Sequence, residues 1–150
     1  MNTQRGLSLI ELLVVVALVA ALAGLGAMAM SRALPGRELR DAAREVAAEL
    51  RFTRAQAIAT GRPQSFVIDV QSHAWRSVGD RQGTLPADIE LLATAARQEQ
   101  PARGQAAIKF FPEGAATGGR IVLRRGGAAW RVDVAWLTGD VSLQRGEGPP

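Results

Sequence analysis

The sequence has 150 residues, with 18 Lys and Arg against 14 Asp and Glu, one His and no Cys. The lack of Cys excludes a disulfide framework and a Cys-ligated metal site. The formal net charge of +4 is a weak indication of a nucleic-acid partner, because the charged residues are dispersed. The length fits one apolar span followed by one soluble domain of about 110–120 residues.

The chain begins with an apolar run over residues 7–30, in which the only polar side chains are Ser8 and Glu11. As a helix this run would extend over roughly 36 Å, enough to cross the ~30 Å hydrocarbon core of a bilayer. A carboxylate within such a helix is penalised by about 2.5–3.5 kcal/mol and usually has a function. We predict a membrane and assembly helix over residues 7–33, in which the charge of Glu11 needs a partner.

Three kinds of segment could explain this run. A secretory signal would be cleaved at the small residues near 21–23 or 27–29, whereas a plain anchor would not be cleaved at all. A leader of the third kind would be cleaved before the apolar run. Glu11 favours the third kind, because neither a signal peptide nor a simple anchor benefits from an acid at that depth.

The start of the chain resembles the type IV prepilin motif in the segment Arg5-Gly6-Leu7-Ser8-Leu9-Ile10-Glu11. Leu7 replaces the usual Phe. The resemblance implies a leader of residues 1–6, cleavage by a prepilin peptidase between Gly6 and Leu7, and N-methylation of Leu7. It also implies that Glu11, the fifth residue of the mature chain, pairs with the terminal amine of a neighbouring subunit. A buried charge persists when it is paired in this way.

A second helical stretch follows the apolar run. Pro35-Gly36 should kink or interrupt the helix, and the helical pattern returns from Glu38 to about Thr60. Glycine at 61 and proline at 63 are expected to end it. The residues predicted to line its buried face are Leu39, Ala43, Val46, Leu50, Thr53 and Ala57.

Beyond residue 63 the apolar period changes to two, which predicts strands. We place them at residues 64–70, 74–78, 89–95, 106–111, 120–124, 130–136 and 141–143. Residues 79–83 are predicted as a turn, 97–104 as a loop and 145–150 as a disordered tail. One long helix followed only by strands predicts an α+β fold. The resemblance specifies a pilin-like arrangement, with the helix packed on antiparallel sheet in a periplasmic domain of residues 34–150.

A later segment narrows the resemblance. Residues 109–121 are similar to the Phe-Pro-Asp-Gly-x-x-Thr-Gly-Gly segment of general secretion pathway protein H, with Glu113 in place of the commoner Asp. That family consists of minor pseudopilins of type II secretion. The resemblance implies a non-enzymatic, single-pass inner-membrane subunit of the pseudopilus tip, with other major and minor pseudopilins as partners and no cofactor. Minor pilins of type IV pili and DNA-binding competence pseudopilins, which share the segment, are the alternatives.

The same segment contains a candidate inter-subunit loop, formed by Glu113, Gly114, Thr117, Gly118 and Gly119. Glycine permits positive φ, so turn chemistry explains these residue types. The loop could therefore simply connect two strands, or it could position a contact with the next pseudopilin.

No catalytic or metal-binding constellation is expected. His73 lies in a predicted turn without further ligands, and Asp88 with Glu90 lacks the spacing of a calcium loop. The three Trp residues (75, 130 and 136) are predicted to be core. Arg124, Arg125 and Arg131 could form a basic patch, but nucleic acid is not expected as a partner.

Overall fold

The computed structural model describes residues 9–95 and 104–146, with the side chains of residues 25–35 left undescribed. The chain divides into two compact units, and the boundary lies between Pro35 and Gly36. Helix α1 is Leu9–Thr60, with 52 residues. Within the described residues, no helix is both long and apolar enough to cross a membrane.

The part of α1 that follows Gly36 buries the predicted face, whose six residues are each no more than 1% exposed. The helix ends at Thr60 as predicted, and Gly61 follows with φ of 63°, the left-handed conformation that commonly terminates a helix. Of the two outcomes predicted at Pro35-Gly36, a kink or an interruption, the interruption is wrong, because α1 is one continuous element there. An interior proline removes one backbone donor and crowds the carbonyl four residues before it, a cost that this helix tolerates without ending.

Eight strands follow α1. They are β1 Gln64–Asp69, β2 Ala74–Arg76, β3 Gln82–Thr84, β4 Glu90–Ala95, β5 Gln105–Phe110, β6 Gly119–Arg125, β7 Ala128–Val134 and β8 Val141–Gly146. They form two antiparallel four-stranded sheets, with orders β3-β2-β1-β5 and β4-β6-β7-β8. The predicted α+β fold is confirmed, and six of the seven predicted strands agree with observed strands to within two residues at each end.

One apolar core joins α1 to both sheets. Leu50 of α1, Phe66 of β1, Phe110 of β5 and Leu123 of β6 are all completely buried. Full burial of side chains of this size contributes about 1.5–3 kcal/mol each, so this core holds the second unit together.

Two sequence predictions fail at strand positions. Gln82 and Gly83 were predicted to be turn residues but belong to β3. A Cβ at Gly83 would lie 2.6 Å from Cζ2 of Trp75, so glycine lets this short edge strand lie directly on the indole. Arg145 was predicted to be disordered, but it belongs to β8 and lies opposite Trp130 of β7 in the antiparallel sheet. Of the predicted loop at 97–104, residues 97–103 lie outside the described residues, as do the last four residues of the chain, and Gly104 is a turn residue as predicted.

Candidate assembly surfaces

The first candidate surface is the apolar part of α1 between Leu9 and Gly24. Every side chain in this stretch is exposed, and Leu9 has a relative exposure of 81%. A helix that is apolar on all sides is stable in lipid or among other helices rather than in water. This surface therefore needs an apolar environment that the described chain does not supply.

Glu11 lies exposed in the first turn of α1. It makes no ion pair with any residue in the ranges 9–95 and 104–146. Gly6 and Leu7, the residues that flank the predicted cleavage point, lie outside the described residues. Cleavage, N-methylation and the pairing of Glu11 with a neighbour therefore stay predictions.

The candidate loop at residues 111–118 is a tightly hydrogen-bonded turn. The backbone N–H of Gly114 donates to the carbonyl of Phe111 at 2.9 Å. Gly114 and Gly118 have φ values of 94° and 75°, which an L-residue side chain rarely allows. The glycines are thus required by the path of the backbone.

Arg54 of α1 connects this loop to a second loop at residues 135–140. Its Nε donates to the carbonyl of Gly114 at 3.1 Å, and its Nη2 donates to the carbonyl of Thr138 at 2.8 Å. The loops also touch directly, since a Cβ on Gly139 would lie 2.1 Å from the carbonyl oxygen of Gly114. One arginine therefore fixes both loops to the end of the helix.

The five predicted contact residues differ in what they present to solvent. Gly114 and Gly118 are buried, Thr117 and Gly119 are half-buried, and Glu113 is exposed. The hydroxyl of Thr117 accepts a hydrogen bond from a β5 backbone N–H at 3.1 Å. Gly114, Thr117 and Gly118 therefore build the loop, and Gly119 begins β6. Glu113 is the side chain that the loop presents to solvent.

The three tryptophans have different environments. Trp75 is 5% exposed and donates from Nε1 to Glu45 at 3.0 Å, so it is core as predicted. Trp130 is half-buried against the core. Trp136 is 69% exposed, so its predicted burial is wrong. The reason is that β7 ends at Val134 and the alternation of inward and outward side chains ends with it.

The predicted basic patch is largely paired with acids. Arg125 contacts both Glu38 and Asp88, and Arg131 contacts Asp133 at 2.6 Å. The hydrogen bond with Glu38 is the largest of the effects that raise the pKa of Arg125. Arginines already paired with carboxylates are poorly placed to neutralise phosphates, which is what gives nucleic-acid binding most of its affinity.

No group of three metal-ligating side chains occurs within the described parts of the chain. His73 lies in the β1–β2 turn, as expected, with Nδ1 3.1 Å from the carbonyl oxygen of Pro86. Asp88 contacts Arg125 instead of forming a site with Glu90.

Sequence reasoning missed a polar connection between α1 and the β2–β3 hairpin. Glu49 is 6% exposed and pairs with Arg81, and this pairing raises the pKa of Arg81. The hydroxyl of Thr53 lies 2.8 Å from that of Ser77. A usable signal existed, because Glu49 falls three residues after Val46 on the stripe of buried positions.

Comparison with known proteins gives two matching sequence families. The family described as "Type II transport protein GspH" matches residues 42–139, and the prokaryotic N-terminal methylation motif matches residues 1–27. The chain is also 51% identical over 137 residues to type II secretion system protein H of Xanthomonas campestris pv. campestris. That match covers 91% of this chain and 81% of the relative.

Two solved structures share the fold. The minor pseudopilin EpsH from the type 2 secretion system of Vibrio cholerae matches 72% of this chain and 97% of its own, with a TM-score of 0.57 and 19% identity. The type IV minor pilin FimU of Pseudomonas aeruginosa matches 73% and 90%, with a TM-score of 0.56 and 15% identity. The fold is thus shared with a minor pseudopilin and with a type IV minor pilin, and the sequence matches are what distinguish between these two kinds of protein.

Proposed function

Because this chain belongs to the GspH family of type II transport proteins, we propose that it works in the tip complex of the type II secretion pseudopilus. It is a minor pseudopilin of that system, a structural rather than enzymatic component. The observation that carries this assignment is the sequence match over residues 42–139, together with 51% identity to a curated secretion protein H. Fold alone would not separate it from a type IV minor pilin.

The precursor enters the inner membrane with residues 1–6 in the cytoplasm and residues 34–150 in the periplasm. The apolar run of residues 7–30 and the methylation-motif match support a single pass. Arg5 on the short cytoplasmic side agrees with the positive-inside rule.

Prepilin peptidase then cleaves between Gly6 and Leu7 and methylates Leu7. On assembly, residues 7–30 leave the lipid and pack among the stems of other major and minor pseudopilins, where Glu11 pairs with a neighbour's amine. The exposed apolar side chains of Leu9–Gly24 support this step, because burial against other stems removes them from water. Nucleic acid is not among the proposed partners.

Mass measurement of the mature amino terminus tests this proposal. We expect a chain that begins at N-methylated Leu7 when prepilin peptidase is present, and an uncleaved chain when it is absent. A mature chain that begins near Gly24 or Met30 would instead identify a secretory signal peptide and contradict the proposal.

A further inference from the structure

The second unit carries three exposed arginines that have no acidic partner. Arg37 and Arg40 lie one turn apart on α1, and Arg145 lies on β8. None of the three makes an ion pair with a described residue of the chain. Their guanidinium groups therefore have N–H donors available for an anion from outside the chain.

Arg40 and Arg145 both lie beside the indole of Trp130. The guanidinium carbon of Arg40 is 5.7 Å from the centre of the ring, in a cation–π contact. Arg145 is directly opposite Trp130 in the pairing of β7 with β8, and side chains of directly opposite residues share one face of a sheet. We call Arg37, Arg40, Trp130 and Arg145 the Arg40 surface.

The four acids near the Arg40 surface each have an arginine beside them. They are Glu38 and Asp88 beside Arg125, Asp41 beside Arg44, and Glu90 opposite Arg124. With the three arginines of the Arg40 surface, the described residues at this end of the unit comprise six arginines and four acids, a net charge of +2. In the sequence, Arg32 and Glu147 add one charge of each sign. The excess positive charge thus belongs to the Arg40 surface.

The covalent chain keeps this surface close to the end of the apolar run. The run ends at Met30, and Arg37 follows seven residues later. Seven residues rise about 10 Å along a helix and span at most about 25 Å in any conformation. The headgroup layer of a bilayer extends about 5–8 Å beyond the hydrocarbon core. If residues 7–30 span the membrane, the Arg40 surface lies within reach of the headgroups.

We infer that the Arg40 surface binds the phosphates of anionic phospholipids in the membrane that holds the apolar run. This inference rests on the proposed function, which places residues 7–30 in the bilayer. The planar guanidinium of Arg matches the oxygens of a phosphate, and Trp is typical of the membrane–water interface. Because the chain is anchored beside these lipids, their effective concentration favours them over phosphates in solution. The contact holds the second unit at the membrane until the chain leaves the lipid for assembly.

Fluorescence quenching in lipid nanodiscs tests the contact. The chain has no Cys, so Gly127→Cys in the full chain places a single dye on the turn between β6 and β7. Gly127 is exposed, and a Cβ there would meet nothing within 4 Å. Leu137→Cys is the matched position at the other end of the unit. Its loop is bound by Arg54, which lies about 21 Å farther along α1 than Arg40.

The quencher is a phospholipid with a nitroxide on its headgroup. We expect the dye at 127 to be quenched at least about threefold more in discs with about 30% phosphatidylglycerol than in discs of phosphatidylcholine alone. The difference should disappear in about 0.5 M salt, because salt screens exposed charges. The dye at 137 should show no such difference. Equal quenching at 127 in both lipids, or the same difference at 137, would overturn the inference.

Charge variants test the residues of the surface. Arg40→Gln/Arg145→Gln should abolish the lipid-dependent quenching at 127. Arg62→Gln/Arg76→Gln removes two exposed arginines elsewhere and should leave that quenching unchanged. Arg40→Lys/Arg145→Lys keeps both charges and should retain at least half of it, which separates loss of charge from misfolding. Quenching that persists in the first pair, or that both Gln pairs lose equally, would contradict the inference.

Competition in solution tests the other possible sources of phosphate. Inorganic phosphate and a short DNA duplex are added separately at constant ionic strength. We expect neither to reduce the quenching at 127 in discs that contain phosphatidylglycerol. Displacement by either one, abolished in Arg40→Gln/Arg145→Gln, would show that the surface binds free phosphate or nucleic acid instead of lipid.

Failure of this inference is distinguishable from failure of the proposed function. If deletion of the chain blocks secretion while the quenching at 127 is independent of lipid charge, the pseudopilin assignment stands and the lipid contact is wrong. If deletion leaves secretion normal, the proposed function itself fails.

Discussion

At the scale of single residues, the close contact between Gly139 and Gly114 shows how two distant loops become one surface. Gly139 has φ of 63°, and the position of its absent Cβ is 2.1 Å from the carbonyl oxygen of Gly114. Gly61 has the same φ, but a Cβ there would meet nothing within 4 Å. A substitution at either glycine would carry the cost of a side chain in the left-handed backbone conformation. Only a substitution at Gly139 would add the cost of a steric clash, so comparing the two separates these costs.

We predict that Gly139→Ala destabilises the protein more than Gly61→Ala. Both variants pay about 1–2 kcal/mol for a side chain in the left-handed region. Gly139→Ala should cost about 1–3 kcal/mol more, because the loops must move apart to accommodate the methyl group. Urea unfolding of the full chain in detergent measures both. Equal losses of stability in the two variants would contradict this prediction, because they would show that the two loops move apart without a measurable free-energy cost.

At the scale of elements, the β1–β2 turn is closed by the Asp69 carboxylate. It accepts the backbone N–H groups of Ser72 at 3.0 Å and Gln71 at 2.9 Å, and the side-chain amide of Gln105 at 3.1 Å. These hydrogen bonds, with that from Ser72 foremost, lower the pKa of Asp69, because they favour its charged form.

This turn should make stability depend on pH in the acid range. In the unfolded chain Asp69 titrates near its ordinary value of about 3.9, so the unfolded chain binds the proton first as the pH falls. The contribution of Asp69 is therefore complete above that value and is lost as the pH falls through the lower pKa of the folded state. Urea unfolding between about pH 2 and pH 6 measures it.

Asp69→Asn keeps an acceptor oxygen but cannot titrate, so we expect a shallower loss of stability below about pH 4. Gln105→Ala removes one of the three hydrogen bonds and should give an intermediate slope. An Asp69→Asn protein with the same acid slope as the unchanged chain would refute the role given to this carboxylate.

Helix α1 shows how much an element's pattern predicts. Its buried stripe and its end at Thr60 are confirmed, because spacing along the chain alone sets which side chains share a face. The pairing of Glu49 with Arg81 was not predicted, because it depends on where the β2–β3 hairpin packs. The sequence allows the expectation that a buried carboxylate has a partner. It does not identify which residue that partner is.

At the scale of the whole molecule, the two units differ in whether their apolar side chains are buried. The second unit buries an apolar core of its own, whereas the apolar side chains of Leu9–Gly24 are all exposed. A subunit that must be stable in the membrane and then join a filament needs an apolar segment of this kind. Under the proposed function, the one acid in that segment, Glu11, is predicted to matter for assembly and not for insertion.

We predict that Glu11→Ala inserts normally but fails to assemble, because removing the acid favours the lipid environment and removes the partner for a neighbour's amine. Membrane fractionation should be unchanged, while exoprotein secretion should fall at least tenfold. Ser8→Ala removes the other polar side chain of the run and serves as the control. Normal secretion by Glu11→Ala would exclude the pairing.

The sequence by itself determined the features that depend on local order: the acid five residues after the Gly6-Leu7 junction, the helical stripe, most strands and hence the α+β class. Only the tertiary structure decided that Trp136 is exposed, that Gly83 lies on Trp75, and that Arg54 holds together carbonyls 60 and 84 positions away. Periodicity reports which face a side chain takes within one element. It cannot report where that element ends against its neighbours, or which distant backbone groups meet, because those depend on the packing of the whole chain.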